Sequence, residues 1–112
     1  MQRVKEQELK YRDGDSGVKY LFRGPHVDWG VILMLPGQSL GGHYHRRVEE
    51  TFYVVQGSGT FTVNGQQYKA TVGDVFRLEP EDRHDIVNDG DEPLKMVFIK
   101  YPFDPEDKVS IS

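Results

Sequence analysis

The chain has 112 residues, carries 14 Lys and Arg against 18 Asp and Glu for a net charge of −4, and is 37% hydrophobic and 12% aromatic. That is enough apolar content for one packed domain spanning residues 1–112, with no length left for a second core. No block of Lys and Arg offers a phosphate-binding face, so no nucleic-acid partner is expected, and the absence of cysteine excludes disulfides, thiolate zinc sites and cysteine nucleophiles.

The first residues, Met1-Gln2-Arg3-Val4-Lys5, lead into Glu and Gln and not into an apolar signal core. No apolar run approaches the roughly 18–20 residues that cross a bilayer. A cytoplasmic protein with no membrane partner is therefore expected. Residues 3–10 contain good helix formers but only Val4 and Leu9 as apolar contacts, so residues 1–12 read as an arm leading into a strand, or a frayed end. Short runs rich in β-branched and aromatic residues follow at 18–22, 30–35, 51–55, 59–63, 67–72, 75–78, 84–87 and 94–99. Turn residues punctuate them at Pro36-Gly37, Gly41-Gly42, Gly57, Gly73, Pro80, Gly90 and Pro93. Asn64-Gly65 sits between two alternating runs and predicts a tight hairpin, because both positions tolerate positive φ. The polar tail at residues 104–112 reads as a loose turn. The pattern as a whole predicts an all-β sandwich or barrel.

Of the four histidines, three fall at spacings that suit a metal site. Side chains alternate along a strand, so His43 and His45 point to one side with Cα atoms about 6–7 Å apart. Two imidazoles at that separation can converge on one ion at bonds of roughly 2.0–2.1 Å. Glu50 opens the next strand and can return a carboxylate to the same ion, and His84, on a later strand, is expected from across the barrel. Three imidazoles and one carboxylate suit one divalent transition metal (Mn, Fe, Ni, Co, Cu or Zn) and disfavour calcium. His26 stands alone and reads as solvated.

From Gly37 to Gly57 the chain reads Gly, five residues, His43-Tyr44-His45, four residues, Glu50, six residues, Gly57. This resembles the first motif of the cupin superfamily at every defining position. Gly73, Asp74, His84 and Asn88 resemble the second motif, with Glu79 where proline is usual and Glu81 where glycine is common. Both departures touch the turn before His84 and remove no ligand. The motifs and the segment between them cover about half the chain. The resemblance implies a small single-domain cupin: a double-stranded β-helix or jelly-roll-like barrel, one bound metal, and a homodimer.

Strand parity places Phe52, Val54 and Ile86 on the same face as the ligands, toward the interior, and Arg77 and Tyr44 away from it. Trp29 and Met34 are assigned to the core, and Glu49 to solvent unless the register is shifted by one. Four protein ligands leave about two positions of an octahedral shell open, which favours a metal-dependent enzyme acting on a small oxygen-bearing metabolite. The resemblance brings in dioxygenases, isomerases and lyases without choosing among them. No second acid or base in the pocket is identified, and no catalytic residue is assigned. A non-catalytic module that binds a sugar or organic acid through the metal is the alternative, and a purely structural metal the third reading.

Overall fold

The computed structural model describes residues 1–111. Ten strands are present among them: β1 (Gly17–Arg23), β2 (Asp28–Met34), β3 (His43–Tyr44), β4 (Glu49–Gln56), β5 (Gly59–Val63), β6 (Gln66–Ala70), β7 (Val75–Leu78), β8 (His84–Val87), β9 (Leu94–Tyr101) and β10 (Val109–Ser110). They form two five-stranded sheets, ordered β1-β2-β9-β4-β7 and β10-β3-β8-β5-β6, in which every pairing is antiparallel.

The two sheets face each other because each alternates in and out. On β9, Leu94, Met96 and Phe98 are buried while Val97 and Ile99 turn outward. On β4, Phe52 and Val54 are buried and Tyr53 and Val55 exposed. These side chains meet Phe61, Ile86, Ile32 and Leu78 in one core. Burying a side chain such as Phe52 or Phe61 contributes about 2–3 kcal/mol. Phe61 of β5 stacks on Phe76 of β7 with ring centroids 4.1 Å apart, a contact between the two sheets.

The predicted hairpin forms as expected: Val63 pairs with Gln66 across Asn64 (φ 50°) and Gly65 (φ 83°). Gly57 ends β4 at φ 78°, where a Cβ would come within 2.3 Å of the Pro93 carbonyl oxygen, so the motif glycine is needed for both backbone shape and space. Asp74 accepts the Thr71 N–H at 2.8 Å and fixes the turn into β7. Asn88 donates to the carbonyls of Met34 and Glu92, each at 2.8 Å, and ties the two sheets together at their buried end.

Both chain ends differ from expectation. The arm forms a 3-10 turn at Glu6–Glu8, and Glu6 lies between Lys19 (3.1 Å) and Lys95 (2.7 Å). Those ion pairs, not apolar contacts, dock the arm, which is why hydrophobic patterning did not reveal it. The tail is likewise no loose turn, since β10 pairs with β3, Val109 opposite Tyr44 and Ser110 opposite His43.

Candidate metal centre

The structure brings all four expected ligands together. The imidazole nitrogens of His43, His45 and His84 and one carboxylate oxygen of Glu50 lie within 4.8 Å of one another, and all four residues are buried. Glu50 Oε1 is 3.2 Å from His45 Nε2, 3.6 Å from His84 Nε2 and 4.0 Å from His43 Nε2.

The route by which they meet corrects one expectation. His84 does not approach from across the barrel: its Cα is paired with that of His43, β3 beside β8 in the same sheet. Glu50 is the residue that crosses, from β4 in the facing sheet. Strand periodicity fixes which face a residue takes and says nothing about which distant strand lies alongside. His45 lies one residue beyond β3 and keeps the inward face.

Each imidazole is oriented by main chain. His43 Nδ1 donates to the Gly41 carbonyl at 2.8 Å, His84 Nδ1 to the Asp82 carbonyl at 2.9 Å, and His45 Nδ1 to the Asp107 carbonyl. A carbonyl can only accept, so each Nδ1 carries a proton and each Nε2 is the atom that faces the centre, where the neutral ring would present a lone pair. His84 Nε2 has no hydrogen-bond partner, the one such buried side-chain atom among the described residues. Three Nε2 atoms and a carboxylate oxygen converge on one point, where each ring can either donate a proton to Glu50 or, once neutral, turn a lone pair to a cation. The donor set therefore fits a divalent transition ion, N3O in character.

Electrostatics favour the ligand form of Glu50. Burial pushes its carboxyl up, but the three imidazoles outweigh burial and hold it well below the usual carboxylate range. For His45, burial pulls the ring down, while Glu50 and the Asp107 carbonyl raise it more. The tail thus acts at the centre. Asp107 is also pushed up by burial, yet its carboxylate accepts the N–H groups of Arg46, Arg47 and Val48 at 2.9, 2.7 and 3.0 Å, which holds it below its ordinary value.

The turn before His84 keeps its geometry despite the two departures from the motif. Glu81 takes φ 76°, the left-handed conformation that glycine adopts most readily, and its N–H donates to the His45 carbonyl at 2.6 Å. Asp82 accepts the Glu79 N–H at 2.9 Å.

His43, His45 and Glu50 open onto a cavity of about 460 Å³ whose other walls include Tyr20, Asp28, Met34, Phe52, Phe98 and Lys100. Phe52 and Met34 hold the inward places assigned to them, Ile86 is fully buried, and Arg77 and His26 are exposed. Tyr44 points away from the centre, with the Arg83 guanidinium 5.2 Å above its ring. Glu49 is half-buried opposite Tyr101, and the register puts Glu50 inward. Sequence reasoning missed Tyr20, Asp28, Lys100 and Asp107. For Lys100 a signal existed, since it shares parity with Phe98 and Met96. For Asp107, 62 residues from His45, there was none.

A family model for the cupin domain matches residues 30–100. An uncharacterized protein of Methanocaldococcus jannaschii is 33% identical over 82 residues, 73% of this chain and 66% of its own length. The oxalate-binding protein of Thermotoga maritima is 33% identical over 64 residues, 57% of this chain and 53% of its own. The chain covers 66% of the length of that Methanocaldococcus protein and about half that of two polyketide-synthase proteins of Streptomyces that it also matches. A crystal structure of an uncharacterized conserved protein with a double-stranded β-helix domain, from Klebsiella pneumoniae, superposes with a TM-score of 0.84 at 20% identity, covering 100% of this chain and 98% of that one. The chain belongs to the cupin family, and its two facing sheets are the double-stranded β-helix of that fold.

Proposed function

We propose that the protein is a metal-dependent enzyme acting on a small oxygen-bearing metabolite, of dioxygenase, isomerase or lyase type. His43, His45, Glu50 and His84 would hold one divalent transition ion. The observation that carries this reading is the set of three main-chain-anchored imidazoles aimed at Glu50 on the wall of an open cavity. A site that only braced the fold would be closed by protein on all sides. The ion would supply Lewis acidity toward a ligand oxygen, and redox chemistry if iron, manganese or copper. The chain's own residues set the access. Met34, Phe52 and Phe98 make the inner wall apolar, and the tail around Asp107 covers His45.

A binding module without turnover is the second reading, favoured by the similarity to the oxalate-binding protein. Metal analysis of purified and of chelated, reloaded protein tests the centre. About one ion per chain is expected, and none after His43 and His45 are both replaced by alanine. Stoichiometric metal in that double variant would sink the assignment. A substrate screen on protein of defined metal content then separates enzyme from module by turnover.

A further inference from the structure

Lys100 sits on the inward face of β9, in line with Phe98 and Met96, and its Cα is paired with Asp28 of β2 on one side and Glu50 of β4 on the other. Cross-strand neighbours have Cβ atoms about 4.5–5.5 Å apart, so an ion pair with either carboxylate lies within reach. Neither forms. Asp28 pairs with Arg23 at 3.5 Å and accepts the Gly24 N–H at 3.1 Å, and Glu50 is turned toward the imidazoles. Among the described residues Lys100 has no ion pair, and its ammonium donates only to the Tyr20 hydroxyl, at a long 3.4 Å. It lies 5.7 Å from the Tyr20 ring centroid and 5.6 Å from that of Phe98, against aromatic faces on the cavity wall.

An ammonium has three donors, and here at least one remains uncommitted beside the centre. The charge of Lys100 is felt at both Glu50 and His45. Around it the cavity's acids are mostly engaged. Asp28 is paired with Arg23, Asp104 with Arg47 at 2.8 Å, and Asp107 with three backbone N–H groups. Arg12 and Lys108 line the same cavity without an ion pair among the described residues. A divalent ion on three neutral imidazoles and one carboxylate leaves one net positive charge, and Lys100 adds a second. Such a pocket selects an anion.

We infer that the ligand of this site is a small organic acid whose carboxylate is held by Lys100 while another of its oxygens faces the metal centre. Lys100 is then the residue that sets the ligand class. This rests on the metal reading given above, and adds to it a second point of recognition supplied by β9. An apolar residue there would continue the alternation of Phe98 and Met96, and a neutral ligand would leave the ammonium with a single weak bond in a half-buried position.

The test is calorimetry on the zinc-loaded full chain, titrated with lactate, pyruvate and malonate, each beside its uncharged amide, with zinc content measured after every titration. At least one acid is expected to bind about tenfold or more tightly than its amide, the scale of one charge-assisted hydrogen bond. Lys100→Met should weaken that acid by about tenfold and leave the amide and the zinc stoichiometry unchanged, and Lys100→Arg should restore most of the affinity. Equal binding of acids and amides, no binding of any acid, or wild-type affinity in Lys100→Met would each overturn the inference. Should Lys100→Met fail to fold, Lys100→Gln takes its place, with the same loss expected for the acid and none for the amide. Failure of the metal reading has a different signature: no zinc is taken up, or chelated protein binds the acid as tightly as loaded protein while still depending on Lys100.

Discussion

The tail residue Asp107 offers the sharpest test of how the centre is held. Its carboxylate accepts three backbone N–H groups from the segment 46–48, directly after His45, and its own carbonyl accepts the His45 Nδ1 proton. Replacing it with alanine removes the three charge-assisted bonds and keeps the carbonyl. Bonds to a charged group contribute about 1.5–3 kcal/mol each when the partner is left stranded. Here the N–H groups of Arg46 and Arg47 are exposed and turn to water instead. The loss then resembles that of a helix cap, about 1.5 kcal/mol in all. With an unfolding entropy of about 2.1 cal/mol/K per residue, that lowers Tm by roughly 6 °C for a chain of 112 residues.

On the proposed metal reading, the larger effect would fall on the ion. Losing the group that orients a ligating imidazole costs about 10–100-fold in affinity. Since the carbonyl survives and only its positioning is loosened, the lower end, about tenfold, is expected for Asp107→Ala. Zinc affinity measured by competition with a chromophoric chelator, beside thermal unfolding, reads both quantities. Asp104→Ala is the control: its partner Arg47 is 68% exposed, so the pair contributes under about 1 kcal/mol and does not touch His45. Reduced Tm with wild-type zinc affinity in Asp107→Ala would show the tail to be a clamp on the fold alone, and would refute its role in orienting His45.

Three further outcomes are expected. Glu50→Gln keeps the shape of the ligand and removes its charge, so circular dichroism should remain that of the folded barrel while metal affinity falls about 10–100-fold; unchanged affinity would remove Glu50 from the ligand set. Glu6 is lowered chiefly by its bond to Lys95, against burial, with help from Lys19, and Lys95 is raised chiefly by Glu6. A depressed carboxyl contributes above its ordinary value of 4.5 and loses that contribution as pH falls through the folded value, whereas the raised Lys95 contributes below 10.5 and is lost as pH rises through its folded value. Glu6→Gln should thus lower Tm near neutral pH and lose that effect as pH falls through the folded value of the carboxyl, below which the wild-type group is also neutral; a loss that stays the same across that range would show that charge does not dock the arm. Finally, Tyr53, Val75, Ile99 and Tyr101 are exposed on the outer face shared by β4, β7 and β9, an apolar patch suited to a second copy of the chain. Light scattering should give about twice 12.9 kDa, and Val75→Glu should shift it toward the monomer; a wild-type monomer at tens of micromolar would contradict the homodimer.

What the sequence disclosed follows from which interactions repeat. Strands with several alternating residues, such as β4 and β9, were legible because burial on one face imposes a period of two. The two-residue strands β3 and β10 carry no period, and β10 exists because Asp107 and His45 bring the tail alongside β3. Lys100 had the inward parity of Phe98, yet a lysine near a strand end reads as solvent-facing until the facing sheet is seen to leave a cavity there. His84 was placed with His43, His45 and Glu50, where the structure has it, but on the wrong wall, since register between strands 41 residues apart depends on sheet order.

The division of ligands between the sheets has a consequence for how such a site varies. The β3–β8 sheet supplies His43 and His84, with His45 just beyond β3, and all three rings are fixed by carbonyls at Gly41, Asp82 and Asp107. A carbonyl cannot be mutated away, so ring orientation depends on the turns that aim those carbonyls. Gly41 at φ 93° and Glu81 at φ 76°, neither of them a ligand, therefore bear on the metal through backbone shape. The facing sheet supplies Glu50, and on the neighbouring strand Lys100 and then Asp28 in the same row. Lys100 and Asp28 are bonded to none of the three imidazoles, so the positions on β9 and β2 are where, on the proposed reading, ligand choice could change while the metal is kept. On the inference drawn above, the lysine at the middle of that row would commit this chain to an acid.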